Sequence, residues 1–111
     1  MKTTILINQA GIVAAGLADN TDLIDWAIID YVHGLSRDPH AECRRFDGAN
    51  FPRLNAQQLL DDMPMLGINS RSGVARRLTK LYNLGLLSVY ADKRNNSYAR
   101  LTELAMAAVN G

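Results

Sequence analysis

Apolar residues recur at three- and four-residue steps in two stretches of the chain, and this spacing predicts two amphipathic helices. The first stretch begins after Thr21 or Asp22, either of which can cap a helix, and it stops near Gly34. Its expected apolar face comprises Ile24, Ala27, Ile28, Tyr31, Val32 and Leu35. The aspartates Asp22, Asp25 and Asp30 are expected to lie largely off that face.

The second stretch begins after Ser70, which is a good N-cap residue, and it ends at Gly85. Its expected apolar face comprises Val74, Leu78, Leu81 and Leu84. A shorter helix precedes it, because Asn55 and Gln58 have capping-box spacing and Pro64 ends the pattern after little more than two turns. The expected inward side chains of this short helix are Leu59, Leu60 and Met63.

Strand signals follow the second helix. Residues 86–91 and 97–101 predict two strands, and residues 92–96 predict the turn between them. Thr102 is placed to cap a closing helix. The expected inward side chains of that helix are Leu104, Ala105, Ala108 and Val109.

Three other segments are less regular. Residues 3–7 predict a short strand or an extended arm, and residues 11–18 predict a helix or a loop. Residues 36–51 are polar and predict a loop with room for a short hairpin. A loop of this length is long for a connection in a compact domain, so we expect it to be either mobile or functional.

The order of the predicted elements indicates a known structural motif. A short helix, a glycine-containing turn and a second helix form a helix-turn-helix, and here a hairpin follows directly. The stretch from Leu59 to Leu87 is LLDDMPMLGINSRSGVARRLTKLYNLGLL. Its last part, from Arg76, resembles the RRL-x-x-L-x-x-x-GLL ending of the winged helix-turn-helix DNA-binding domains. The whole stretch is similar to small bacteriophage and plasmid domains linked to replication initiation or transcriptional control.

The resemblance extends from about Asp22 to Thr102 and implies an α+β fold that is mostly α with a small β-hairpin. A three-helix core would carry the hairpin as a wing, followed by a short C-terminal helix. Residues 1–20 would form an N-terminal arm or strand, and residues 21–111 the winged helix domain. The polar insertion at about 36–50 departs from the family pattern, because a minimal winged helix lacks it.

Composition and charge narrow the class of protein. With 48% hydrophobic and 21% charged residues, the chain has ordinary globular usage, which excludes a disordered or collagenous protein. The net charge of +1 conceals a polarised distribution. Residues 1–69 hold 5 basic and 9 acidic side chains, residues 70–100 hold 7 basic and 1 acidic, and the remainder holds 1 acidic. A balance of +6 over residues 70–100 favours an anionic partner there.

The predicted second helix of the motif places donor side chains opposite its apolar face. Arginine can bond two acceptors of guanine and asparagine two positions of adenine, and a recognition helix presents its N-terminal half to the bases. Lys80, deeper in the helix, and the wing are better placed for phosphate. The predicted DNA-binding residues are Ser70, Arg71, Ser72, Arg76, Arg77, Lys80, Lys93, Arg94 and Asn95.

We therefore expect a sequence-specific double-stranded DNA-binding protein, either a transcriptional regulator or a replication-associated factor of phage or plasmid type. The alternative is a winged helix used as a protein–protein interaction module, because fold does not fix function. A basic stripe on a helix is often only a solvated face, but its place between a glycine turn and a basic hairpin favours nucleic acid.

Other candidate chemistry is weak. His40 and Cys43 have the spacing of two metal ligands, but a zinc site needs further ligands, so no metal or cofactor is expected. The neighbours Asp61 and Asp62 predict surface charge, because adjacent helical residues point apart and no nucleophilic or basic partner is evident. No catalytic constellation is present, and we do not expect an enzyme.

The aromatic residues favour packing over recognition. Tyr82, Tyr90 and Tyr98 are expected to pack in the core or the hairpin rather than to stack on bases. Trp26 lies off the main apolar stripe, where it would either cover a dimer surface or cap the core.

Localisation follows from cysteine use and hydropathy. The single cysteine cannot form an internal disulfide, which favours a reducing compartment. No apolar run reaches the ~18–20 residues of a membrane span, and Asn8 and Gln9 interrupt the apolar start, which argues against a signal peptide. The sequence thus predicts a soluble cytoplasmic protein without a membrane partner.

A homodimer is expected because two-fold DNA sites are commonly read by two-fold proteins. The ends of the chain are the candidate contacts. Residues 3–7 could pair with another strand edge, and residues 105–109 offer a small apolar patch.

Overall fold

The computed structural model describes residues 2–110, in which helices and antiparallel strands form an α+β domain. The helices are α1 (Gln9–Ala14), α2 (Leu23–Arg37), α3 (Ala56–Asp62), α4 (Arg71–Asn83) and α5 (Glu103–Asn110). The strands are β1 (Cys43–Phe46), β2 (Ala49–Leu54), β3 (Leu87–Ala91) and β4 (Ser97–Leu101). Short 3₁₀ turns lie at Ala18–Asn20 and Pro64–Leu66.

Polar side chains fix the helix starts. Asp22 and Asp25 form a reciprocal capping box at α2, and Asn55 accepts the Gln58 amide at α3. Ser70 accepts the Gly73 amide, so α4 begins where the sequence predicts. At α3 the Gln58 side chain donates to Asp62, within the helix, rather than completing the predicted box.

The ends of the helices agree less uniformly with the sequence. Gly85 adopts a left-handed φ of 75°, which an L-residue rarely tolerates, and it follows α4 as predicted. Gly34 does not stop α2, which continues to Arg37. An isolated glycine weakens a helix by only about 1 kcal/mol, and the packed α2 tolerates it.

The sheet has the order β1-β2-β4-β3, with every neighbouring pair antiparallel. The predicted hairpin of β3 and β4 is confirmed, with Val89 opposite Ala99. The polar insertion is where the prediction of a loop is wrong in part. Residues 43–54 form a second hairpin, and its strand β2 extends the sheet by pairing with β4.

The core lies between the helices and one face of β3 and β4. Side chains alternate across a sheet, so Leu87, Ala99 and Leu101 face the helices. The fully buried large residues include Ile28, Ile29, Val32, Leu59, Val74, Leu81 and Leu86. Trp26 is a core residue, only 4% exposed, and its indole N–H donates to the Thr21 hydroxyl.

Of the two alternatives predicted for residues 3–7, the strand does not form, and Lys2 holds this segment to the domain through the Asp62 carbonyl and the Asp30 carboxylate. Two further expectations are wrong. Leu104 is exposed rather than inward, and Asp25 is completely buried rather than off the apolar face. For Asp25, contacts from the distant helix α4 decide the position.

The N-terminal helix is fastened to the C-terminal helix at a glycine. The Gly11 Cα lies so close to α5 that an added Cβ would meet the Ala108 carbonyl oxygen at 2.1 Å. Ala105 and Ala108 are fully buried, so the predicted apolar patch at residues 105–109 is largely covered within the chain.

Gly11→Ala is expected to lower the free energy of unfolding by about 1–3 kcal/mol, because backbone must move to admit the methyl group. Gly34→Ala is the matched control, since the nearest atom to its Cβ is the Lys2 ammonium at 3.9 Å. This variant should be stabilised by about 0.5–1 kcal/mol through helix propensity. Urea unfolding of both variants measures the difference, and equal shifts would contradict the close approach of α1 to α5.

Candidate nucleic-acid interface

Helix α4 exposes one polar ridge along most of its length. The ridge is defined by the exposed residues Arg71, Ser72, Ala75, Arg76, Thr79 and Asn83. Val74 and Leu81 on the other side are fully buried, which fixes the rotation of the helix. The sequence-predicted donors Arg71, Ser72 and Arg76 are therefore brought together on an accessible surface.

Two of the predicted DNA-binding residues lie elsewhere on α4 and contact α2. The Arg77 guanidinium lies 2.6 Å from the Asp22 carboxylate and 2.9 Å from that of Asp25. The Lys80 ammonium lies 2.5 Å from the second oxygen of Asp25. Arg77 and Lys80 are thus engaged within the chain and hold α4 against the first turn of α2.

Electrostatics in this cluster favour the charged forms. Hydrogen bonds to Asp22 and Asp25 raise the pKa of Arg77. Partial desolvation raises the pKa of Asp22, but hydrogen bonds from Arg77 and the Asp25 amide lower it more, so its net value lies below 3.8. The contribution of Asp22 to stability is therefore complete near neutral pH and is lost as the pH falls through this lowered pKa.

The β3–β4 turn is organised by one carboxylate. Asp92 accepts the Arg94 and Asn96 amides at 2.8 and 2.9 Å, and Asn95 adopts a φ of 61°. The hydrogen bond from the Asn96 amide lowers the pKa of Asp92. Desolvation raises this pKa, but further hydrogen bonds from Asn96 and Arg94 lower it, so the net shift is downward. The predicted phosphate ligands Lys93 and Arg94 are exposed at this turn and, among residues 2–110, form no ion pair.

The second hairpin packs on the face of β3 and β4 that points away from the helices. The Phe46 ring stacks on Tyr90 at 4.7 Å and 3°, and Phe51 meets both rings edge-on. The Tyr90 hydroxyl donates to Asp47, which raises the pKa of Tyr90. Tyr90 and Tyr98 thus pack in the hairpins as predicted, whereas Tyr82 on α4 is 56% exposed.

Sequence reasoning missed the roles of Arg44, Arg45 and Asp62. Arg44 and Arg45 lie exposed on β1, inside the segment that predicts mainly a loop, and their only sequence signal is the paired charge before Phe46. Asp62 is more than surface charge, because it accepts a hydrogen bond from the Tyr31 hydroxyl at 2.8 Å. Burial and this bond raise the pKa of Tyr31.

Neither a metal-ligand cluster nor a membrane-spanning helix is found among residues 2–110. Within residues 2–110 no group of three or more His, Cys, Asp or Glu side chains is arranged to hold a metal ion, and His40 and Cys43 are exposed. Over those residues the structure contains no helix with the length and apolar character to cross a membrane.

Comparison of the chain with protein-family models, with curated proteins and with solved structures finds no match in any of the three.

Proposed function

We propose that the protein is a sequence-specific double-stranded DNA-binding protein of the winged-helix type. The order helix, strand, strand, helix, helix, strand, strand from α2 to β4 supports this, because α3 and α4 are joined by a short glycine-containing turn and a hairpin follows α4. The β3–β4 hairpin lies at the edge of the sheet, in the order β2-β4-β3, and β3 contacts α4, which supports the proposed role of this hairpin as a wing.

The observation that carries the proposal is the contrast among the basic residues of α4 and the wing. Arg77 and Lys80 are held by carboxylates, whereas Arg71, Arg76 and the wing turn carry cations that form no ion pair among residues 2–110. A folded domain that leaves its cations unpaired on one helix ridge and one turn has a surface suited to polyanions.

In this proposal the N-terminal half of α4 enters the major groove. Arg76 and Ser72 would then meet base edges, with the planar guanidinium of Arg76 suited to the O6 and N7 acceptors of guanine. Lys93 and Arg94 would contact phosphate or the adjacent minor groove. Arg77 and Lys80 would act indirectly, because their ion pairs fix the orientation of α4 relative to α2.

Selection from a random duplex library tests the proposal. We expect recovery of a defined sequence, and we expect retention of the protein on heparin that falls steeply with salt, as phosphate contacts release counterions. No enrichment and no salt-dependent retention would contradict the proposal and would favour the protein-interaction alternative.

We further propose that the protein reads a two-fold site as a homodimer. The N-terminal region supports this with apolar side chains that stand in solvent, among them Leu6, Val13 and Leu23, which are 65–72% exposed. Deleting residues 1–20 would be an unsuitable test, since Ile12 and Leu17 belong to the core. Light scattering of Val13→Glu/Leu23→Glu should show monomers where the wild type shows dimers, and an unchanged mass would contradict this contact.

A further inference from the structure

The two hairpins form a cleft between their exposed ends. We call this the interhairpin cleft, and its volume is about 900 Å³. Its charged lining consists of Arg44, Arg45, Lys93 and Arg94 together with Glu42 and Asp92. Four cations therefore face two carboxylates in one concave surface.

Both carboxylates of the cleft are already engaged. Asp92 pairs with Arg44 at 3.2 Å, and Glu42 pairs at 3.2 Å with Arg53, which lies outside the cleft. Arg45 donates to the Gly48 carbonyl at 2.9 Å, and this neutral acceptor does not compensate its charge. Arg45, Lys93 and Arg94 therefore remain without an ion-pair partner in the described part of the chain, and the cleft is positive.

Contacts between the two hairpins also fix the shape of the interhairpin cleft. The Arg44–Asp92 pair joins β1 to the β3–β4 turn, and the Phe46–Tyr90 stack joins the same two hairpins through their rings. The ends of the hairpins are thus fixed relative to each other before any ligand arrives. A group of cations that is preorganised in this way binds an anion with less loss of conformational entropy than mobile lysines do.

The aromatic rings of the cleft argue for a phosphate backbone rather than for unpaired bases. Single-strand binding relies on exposed rings on which bases stack. Here one face of Phe46 is covered by Tyr90, and Tyr98 is only 4% exposed. What the cleft offers is charge and guanidinium donors, which suit phosphate oxygens.

We propose that the β1–β2 hairpin is a second phosphate-binding arm. Together with the wing turn it grips the sugar-phosphate backbone of the same duplex that α4 reads, flanking the base contacts. The inference rests on the proposed function and extends it, since it assigns Arg45 and Arg44 to the footprint and gives the insertion at 36–50 a role.

Arg45 is the residue on which to test this arm, because it is exposed and no ion pair breaks with it. Arg45→Ala should reduce the slope of log K against log salt on a random-sequence duplex by roughly 0.9, the value for one phosphate contact. Arg45→Lys should retain the slope. Arg37→Ala is the matched control, since Arg37 is an exposed arginine at the end of α2, outside the cleft, and its slope should stay that of wild type.

The sole cysteine of the chain provides an independent readout. Cys43 is exposed and lines the cleft. Binding of the selected duplex should slow its alkylation by iodoacetamide several-fold. The same duplex shortened at each end by one helical turn, about 10 base pairs, should leave the thiol as reactive as in the free protein.

The outcomes separate the arm from the function. A reduced slope for Arg45→Ala together with protection of Cys43 supports the arm. If Lys93→Ala reduces the slope while Arg45→Ala does not and Cys43 stays reactive, the arm is overturned and the proposed function stands. If no substitution in α4, the wing or the cleft alters DNA binding, both are overturned.

Discussion

Replacing Arg76 with alanine is expected to weaken binding to the selected duplex by about 1–3 kcal/mol, or roughly 5- to 150-fold. Binding to a scrambled duplex should fall far less. Arg76 lies on the exposed ridge of α4, in the second turn after the Ser70 cap, and it forms no ion pair among residues 2–110. In the proposal, its truncation removes a base contact and breaks no ion pair of the described residues.

The effect of Arg76→Ala is to be compared with the effect of substitutions in the wing. Lys93→Ala and Arg94→Ala should weaken selected and scrambled duplexes in similar proportion and reduce the salt slope by roughly one unit each. Salt titrations of all three variants on both duplexes, with folding checked by thermal melting, measure the difference. If Arg76→Ala leaves the ratio of selected to scrambled affinity unchanged, Arg76 does not read a base.

The parts of the fold that sequence predicts well are those decided by neighbours along the chain. Ser70 caps α4 because its hydroxyl reaches an amide three residues later, and the left-handed φ at Gly85 is a property of that residue. The β3–β4 hairpin follows from two short strands and the turn chemistry of Asp92. Such signals need no knowledge of tertiary contacts.

The parts that sequence misses depend on partners far away. Periodicity places Asp25 largely off the apolar face, and it cannot show that Arg77 and Lys80, 52 and 55 residues later, will cover it. Strand β1 is mostly exposed, and in β2 the neighbours Phe51 and Pro52 are both buried, so neither strand has an alternating pattern. Their hairpin has a local signal in the Asp47–Gly48 turn, where both residues have a positive φ. Its position over β3 depends on the contacts of Phe46 and Phe51 with Tyr90, which are long-range.

The same distinction sorts the candidate site. Residue type and helical position place Arg71, Ser72 and Arg76 correctly on an exposed surface. They place Arg76 on the polar side of α4 and Arg77 at its margin, but they cannot show which of the two arginines meets a partner in the fold. Only the position of α2 shows that one is free for a ligand and the other is bound to Asp22 and Asp25.

The largest effect on stability is expected where that contact is broken. Asp25 has no exposed surface, and both of its oxygens meet a cation of α4. Arg77→Met/Lys80→Met would leave its carboxylate buried with only the Asp22 amide, at 3.1 Å, as a donor. Removing the partners of a buried charge typically lowers the free energy of unfolding by about 3–5 kcal/mol.

The matched control is Arg71→Met/Arg76→Met, which removes the same two charges from the same helix where both side chains are exposed. Its free energy of unfolding should stay within about 0.5 kcal/mol of wild type. Adding Asp25→Asn to the Arg77→Met/Lys80→Met variant should recover stability, because the amide removes the buried charge and keeps an acceptor for the Asp22 amide. Urea unfolding of the four proteins decides the matter. Equal midpoints for the two double variants would show that Arg77 and Lys80 are ordinary surface cations, and their assignment to DNA would then be restored.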